Sequence, residues 1–174
     1  VRRRVPLPLI APGRNLPSLA PEFFTDRFSG QVARGTGPRV GIFAGCMTNY
    51  FYPQTGRSMV ELLIGLGATV HVPKEQVCCG MPALTGGAVD TARELALSNL
   101  EAFEGAHLDA IVTGCASCGG NLKENYGRLL EESGVEKDRI REFISRIMDI
   151  NQFLHRHMDK RRQEREAVPP VPEK

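Results

Sequence analysis

The chain is predicted to be an α/β protein with a parallel sheet, on three observations. Short apolar segments alternate with segments of helical periodicity from about residue 39 to 154. The apolar segments are rich in β-branched residues, and each is followed by a loop carrying cysteine and glycine.

The elements follow in order. Arg39-Val40-Gly41-Ile42-Phe43-Ala44 reads as a strand running into Gly45-Cys46. Met59, Leu62, Leu63 and Leu66 then recur on one helical face, which Gly67 ends. Ala68-Thr69-Val70-His71-Val72-Pro73 is a second strand, and Val89, Ala92, Ala96, Leu100 and Phe103 mark a longer helix. Asp109-Ala110-Ile111-Val112-Thr113 is the third strand, bounded by Gly114, with Leu122, Tyr126, Leu129 and Leu130 on the helix after it. Ile140, Phe143, Ile144, Ile147 and Met148 predict one last amphipathic helix over an open flank of the core. A βαβαβα order implies a three-layer, Rossmann-like parallel sheet with helices on both faces.

Flanking this unit, residues 1–38 hold six prolines (Pro6, Pro8, Pro12, Pro17, Pro21 and Pro38) and little periodicity. They read as an extended N-terminal linker with one short helical turn near Glu22–Phe28. Residues 155–174 are charged and end in Val168-Pro169-Pro170-Val171-Pro172, the composition of a second linker or tail. The domain proper is therefore placed at 39–154. Linkers at both ends, and a start at Val1 rather than Met, predict a module cut from a longer protein.

Composition narrows the function. A hydrophobic share of 41% among 174 residues supports one core. The net charge of +2, with no basic stripe interleaved with aromatics, gives no reason to expect a nucleic-acid partner. No apolar run approaches the roughly 18 residues of a transmembrane helix, and no secretion signal is recognisable. With an odd cysteine count, this predicts a reducing, cytoplasmic setting, with membrane association at most peripheral and through partners.

The cysteines carry the chemistry. All five, Cys46, Cys78, Cys79, Cys115 and Cys118, fall in the pattern CX31CCX35CXXC, each group beside a glycine. In a parallel sheet of this kind ligands bind beyond the carboxyl ends of the strands. Cys46 follows strand one, Cys78–Cys79 follow strand two and Cys115 follows strand three, so periodicity alone brings the five sulfurs to one edge. Soft thiolates gathered from separate loops suit a metal or an iron–sulfur cluster.

Other readings explain less. Structural core cysteines have no reason to collect at strand ends behind glycines. Five sulfurs cannot all pair, and a bridge between adjacent Cys78 and Cys79 would be strained. A thioredoxin-like role fits Cys115-Ala116-Ser117-Cys118 but leaves the other three unused. Zinc wants four ligands, commonly from two CXXC knuckles, whereas one knuckle and a spare fifth thiol are present. The spacing also differs from the bacterial ferredoxin run. Zinc and an unusual cluster both stay open on the residues alone.

Three stretches go further: Val40–Pro53 (VGIFAGCMTNYFYP), Val72–Pro82 (VPKEQVCCGMP) and Ile111–Tyr126 (IVTGCASCGGNLKENY). They resemble the cysteine-rich CCG domain, found usually as a tandem pair in one of the subunits of heterodisulfide reductase. The same domain occurs in the iron–sulfur subunits of glycolate oxidase, lactate-utilisation proteins and anaerobic glycerol-3-phosphate dehydrogenase. The resemblance spans about Arg39 to Leu154 and implies a single CCG domain with an electron-transfer role. In the heterodisulfide reductase branch the five cysteines hold a non-cubane [4Fe–4S] cluster, which would here be Cys46, Cys78, Cys79, Cys115 and Cys118. It further implies a flavin-containing dehydrogenase partner and a second CCG or ferredoxin-type domain, neither of which this chain shows. Oxidase members often lack one cysteine of the last pair, and here both stand. The Leu122–Tyr126 run and the proline-rich N-terminal segment favour the glycolate or lactate branch.

The remaining polar residues read as structural. Lys74 and Lys123 are taken as solvated lysines near the sulfur edge, and His71 and His107 lack ligand spacing. Asp149 is expected to cap a helix over Ile150–Leu154.

Overall fold

The computed structural model describes residues 18–157, together with a two-residue antiparallel bridge between Val5–Pro6 (β1) and Asn15–Leu16 (β2). The tail expected at 155–174 lies outside the described residues from 158 onward. Between these limits run α1 (Phe24–Arg27), β3 (Gly30–Ala33), β4 (Arg39–Ile42), a π-helical turn (Met47–Phe51), α2 (Pro53–Gly65) and β5 (Thr69–Val72). They are followed by α3 (Met81–Thr85), α4 (Val89–Phe103), β6 (Ala110–Thr113), α5 (Ala116–Glu124), α6 (Tyr126–Glu132), α7 (Lys137–Arg146) and β7 (Ile147–Asp149). Residues 150–157 are helical.

Five strands form one sheet in the order β3-β5-β4-β6-β7. The strands β5, β4, β6 and β7 are mutually parallel, and β3 pairs antiparallel with β5 at the edge. The sheet is therefore mixed rather than wholly parallel. Period-2 alternation divides its side chains between two cores. Val40, Ile42, Val70, Val72, Ala110 and Val112 pack with Phe24 of α1 and with Met59 and Leu63 of α2. Phe43, Ile111 and Ile147 point the other way, against Ala96 and Leu100 of α4, Leu129 of α6 and Phe143 of α7. Helices thus cover both faces, as the alternating pattern implied.

Three expectations are corrected. The segment read as linker contributes the strand β3 to the sheet, while the helical turn expected within it forms as α1. Phe24 is 1% exposed, and Asn49 Oδ1 accepts from both the backbone N–H (2.9 Å) and the hydroxyl (3.1 Å) of Thr25, pinning α1 to the π-helical turn. The strand β3 has no alternating pattern to betray it. Its ladder to β5, broken by an irregularity between Gln31 and Ala33, supplies what local sequence does not.

The last amphipathic helix ends at Arg146. Ile147 and Met148, counted on its face, instead extend as β7 beside Ile111 and Val112 of β6. Both residues suit either state, and the open edge of β6 decides in favour of strand. The helix read through Leu122 and Leu130 divides at Asn125 into α5 and α6. Asp149 caps as expected, its Oδ1 accepting from the Asn151 backbone N–H at 2.8 Å.

Candidate metal centre

Among the parallel strands the order is second-first-third-fourth, so the chain reverses direction across the sheet between β4 and β6. At such a switch point the loops diverge and leave a crevice at the strand ends. Cys46 lies four residues past Ile42, and Cys115 lies two past Thr113, so these two flank the crevice. Cys78 and Cys79 arrive in the loop between β5 and α3.

The sulfurs meet there. A cavity of about 370 Å³ is lined by Cys46, Cys79, Cys115 and Cys118, with Met47 and Met81 among its walls. Cys78 lies beside it, sharing an adjoining recess with Cys46. The thiols make a string of neighbours: Cys46 engages Cys78, Cys78 engages Cys79, Cys79 engages Cys118, and Cys118 engages Cys115. All five are free, with Cys79 and Cys118 buried and the other three half-buried. Among the described residues no three His, Cys, Asp or Glu side chains gather about one point as a single-ion site would need. The sulfurs are strung along the crevice instead.

Two glycines make this geometry possible. Gly45 has φ +67°, and a Cβ on it would stand 2.9 Å from Cys118 Sγ. Gly80 has φ +86° and turns the chain directly from Cys79 into α3, with its N–H donating to Cys78 Sγ at 3.5 Å.

Electrostatics favours thiolate at Cys79. The neighbouring Cys118 thiol and the Met81 backbone N–H hold its pKa down to about 6, against the opposing effect of burial. Cys118 is driven upward because it keeps the proton of that pair and is buried. Burial also raises Cys78. Cys118 sits in the first turn of α5, the positive end of the helix dipole, which favours a thiolate there.

Polar residues that periodicity passes over hold the loops in place. Gln76 donates from Nε2 to the carbonyls of Ile42 (3.1 Å) and Pro73 (2.9 Å) and accepts from the Ala44 N–H (2.8 Å), tying the Cys46 loop to the Cys78 loop. Thr113, 1% exposed, accepts from the Cys115 N–H at 3.3 Å. Asn99, Asn121 and Tyr126 are fully buried behind Cys78–Cys79. Asn99 and Asn121 interrupt apolar helical faces, and an amide at a core position is the signal that could have found them. Lys74 and Lys123 lie on the surface, outside the cavity lining.

The donors present are sulfur throughout, and the space exceeds what one ion fills, so the residues fit a polynuclear thiolate-bound group. Fold and site together define a cysteine-rich α/β domain with its sulfurs collected at the switch point of the sheet. The comparisons agree. Residues 40–123 match the model of the CCG cysteine-rich domain.

Similar proteins include a subunit of the fumarate reductase (CoM/CoB) of Methanothermobacter marburgensis, 36% identical over 132 residues, which are 76% of this chain and 24% of that protein. The probable glycolate oxidase iron-sulfur subunit of Bacillus subtilis is 33% identical over 116 residues, 67% of this chain and 26% of that protein. Lactate utilization protein A of Geobacillus sp. is 34% identical over 116 residues, 67% of this chain and 48% of that protein. The chain thus spans from about a quarter to about half of the length of these relatives. No solved structure matches it. Among the described residues no helix is long and apolar enough to cross a membrane.

Proposed function

We propose that Cys46, Cys78, Cys79, Cys115 and Cys118 hold one iron–sulfur cluster, of [4Fe–4S] and non-cubane type. The chain then serves as an electron-transfer component of a 2-hydroxyacid oxidoreductase of glycolate or lactate type. The observation that carries this reading is the convergence of five thiols from three loops along one crevice. Relatives named as an iron–sulfur subunit of glycolate oxidase and as a lactate utilization protein support the reaction class. When bound, such a cluster supplies one-electron transfer.

The chain's own groups prepare the site. Cys79 offers a sulfur already inclined to thiolate, and Gly80 and Met81 offer backbone N–H groups to sulfur. Met47, Met81 and Pro82 wall the cavity with apolar surface that limits water. Removing a hydride equivalent from a 2-hydroxy acid is flavin chemistry, so the reading assigns that step to a flavin-containing dehydrogenase partner. The greater length of the relatives leaves room for a second CCG or ferredoxin-type domain alongside this one.

A second reading has its own support. The full set of five cysteines and the likeness to the fumarate reductase (CoM/CoB) relative favour a heterodisulfide-reductase-like site that reduces a disulfide.

The test is anaerobic titration of the full chain with dithionite, followed by reoxidation with ferricyanide. Reversible bleaching of a visible band, with no turnover of glycolate or lactate by the chain alone, supports an electron carrier. A colourless protein that accepts no electrons contradicts it, and substrate oxidation by the lone chain would move the active site here.

A further inference from the structure

The Cys78–Cys79 loop is gripped from behind by three side chains outside the ligand set. Asn99 of α4 donates from Nδ2 to the Cys78 carbonyl (3.0 Å) and to the Tyr126 hydroxyl oxygen (3.0 Å), while its Oδ1 accepts from the Val77 N–H (2.9 Å). Tyr126 of α6 donates its hydroxyl proton to the Cys79 carbonyl at 3.0 Å. Asn121 of α5 donates from Nδ2 to the same carbonyl at 2.6 Å, and its Oδ1 accepts from Asn125 Nδ2 at 3.0 Å. Asn99, Asn121 and Tyr126 are each 0% exposed.

Two donor relays therefore converge on one peptide oxygen: Asn125 to Asn121 to Cys79, and Asn99 to Tyr126 to Cys79. Among the described residues no buried side-chain nitrogen or oxygen lacks a partner, so the network is fully satisfied. Four of these bonds go to backbone groups of Val77, Cys78 and Cys79, so the side chains pair buried peptide groups that would otherwise be left unpaired at a cost of about 1–3 kcal/mol each. What a satisfied buried network adds is a single orientation. Rotating either the Cys78 or the Cys79 peptide would break bonds that water cannot replace at this depth. The directions of both thiols, toward Cys46 and toward Cys118, are thereby set.

We infer that Asn99, Asn121 and Tyr126 are positioning residues of the thiolate site, locking the Cys78–Cys79 peptide groups so that both sulfurs stand in place before a metal enters. This rests on the metal-binding reading above. Groups that orient metal ligands cost about 10–100-fold in metal affinity when removed.

The experiment compares the wild-type full chain with Tyr126→Phe, which keeps the ring, and Asn121→Leu, which keeps the approximate volume. Leu63→Val, in the core on the opposite face of the sheet, serves as a control for lost stability. Each metal-free protein is titrated anaerobically with cobalt(II), reading thiolate-to-cobalt charge-transfer bands. Each is also reconstituted with iron and sulfide and its EPR spectrum recorded. The inference expects at least about tenfold weaker cobalt binding and an altered spectrum in the Tyr126 and Asn121 variants. The control should retain wild-type binding despite a lowered melting temperature. Wild-type affinity and spectrum in both test variants would overturn it. If the wild type binds cobalt through sulfur yet assembles no cluster, the iron–sulfur reading falls, and the cobalt comparison still decides the role of the three residues. Failure of the wild type to bind either would overturn both.

Discussion

Gly45 and Cys118 touch at the crevice: a Cβ on Gly45 would stand 2.9 Å from the Cys118 sulfur, and Gly45 itself adopts φ +67°. An alanine there meets two obstacles, a left-handed backbone costing about 1–2 kcal/mol and a sulfur that must move. Gly45→Ala is expected to fold with lowered stability and to lose metal content out of proportion to that loss. Thermal melts paired with iron analysis check this; full iron retention in a folded variant would remove the close approach from the account.

Gln76 joins two loops through hydrogen bonds to Ile42, Pro73 and Ala44. Gln76→Ala leaves the Ala44 N–H unmatched, and unmade bonds of this kind cost about 1–3 kcal/mol. Denaturant unfolding should show a reduced midpoint with an unchanged slope, as expected if only the folded state is weakened.

His71 supplies a pH dependence. Burial, aided by the Arg39 charge and opposed by Glu75, lowers its pKa below the ordinary 6.5. The unfolded chain then binds a proton before the folded one does. Its contribution to stability is fully present above about pH 6.5 and is lost as pH falls toward the lower folded value. Urea midpoints at pH 7.5 and 5.5 should fall further for wild type than for His71→Gln. Equal falls would show that His71 titrates alike in both states.

Much of this architecture is legible from residues. The short apolar runs Val40–Ala44, Val70–Val72 and Ala110–Thr113 mark three strands, and the glycine-flanked cysteines that follow mark one shared edge. What escapes is what tertiary partners decide. Gly30–Ala33 becomes a strand because β5 offers an edge, and Ile147–Asp149 because β6 does. Asn99, Asn121 and Tyr126 sit within helical runs whose apolar spacing conceals that they face the cysteine loop. Periodicity locates a buried face but does not say which buried polar group meets which backbone carbonyl.

Single cysteine replacements separate the ligands from the scaffold. Cys79 and Cys118 sit deepest, at 3% and 5% exposure, so serine at either is expected to abolish the visible chromophore. Cys78→Ser, beside the main cavity, should leave an altered chromophore of reduced intensity. Absorbance spectra of the three variants after identical anaerobic reconstitution decide the matter. A wild-type spectrum in all three would remove these thiols from the ligand set.

The central claim is that five thiols along one crevice hold an iron–sulfur cluster. Iron, acid-labile sulfide and zinc measured together on the anaerobically purified full chain test it most directly. The account predicts a brown protein with about four iron and about four sulfide per chain. Stoichiometric zinc with no visible absorption would contradict it and would make the domain a zinc-stabilised docking module for redox partners.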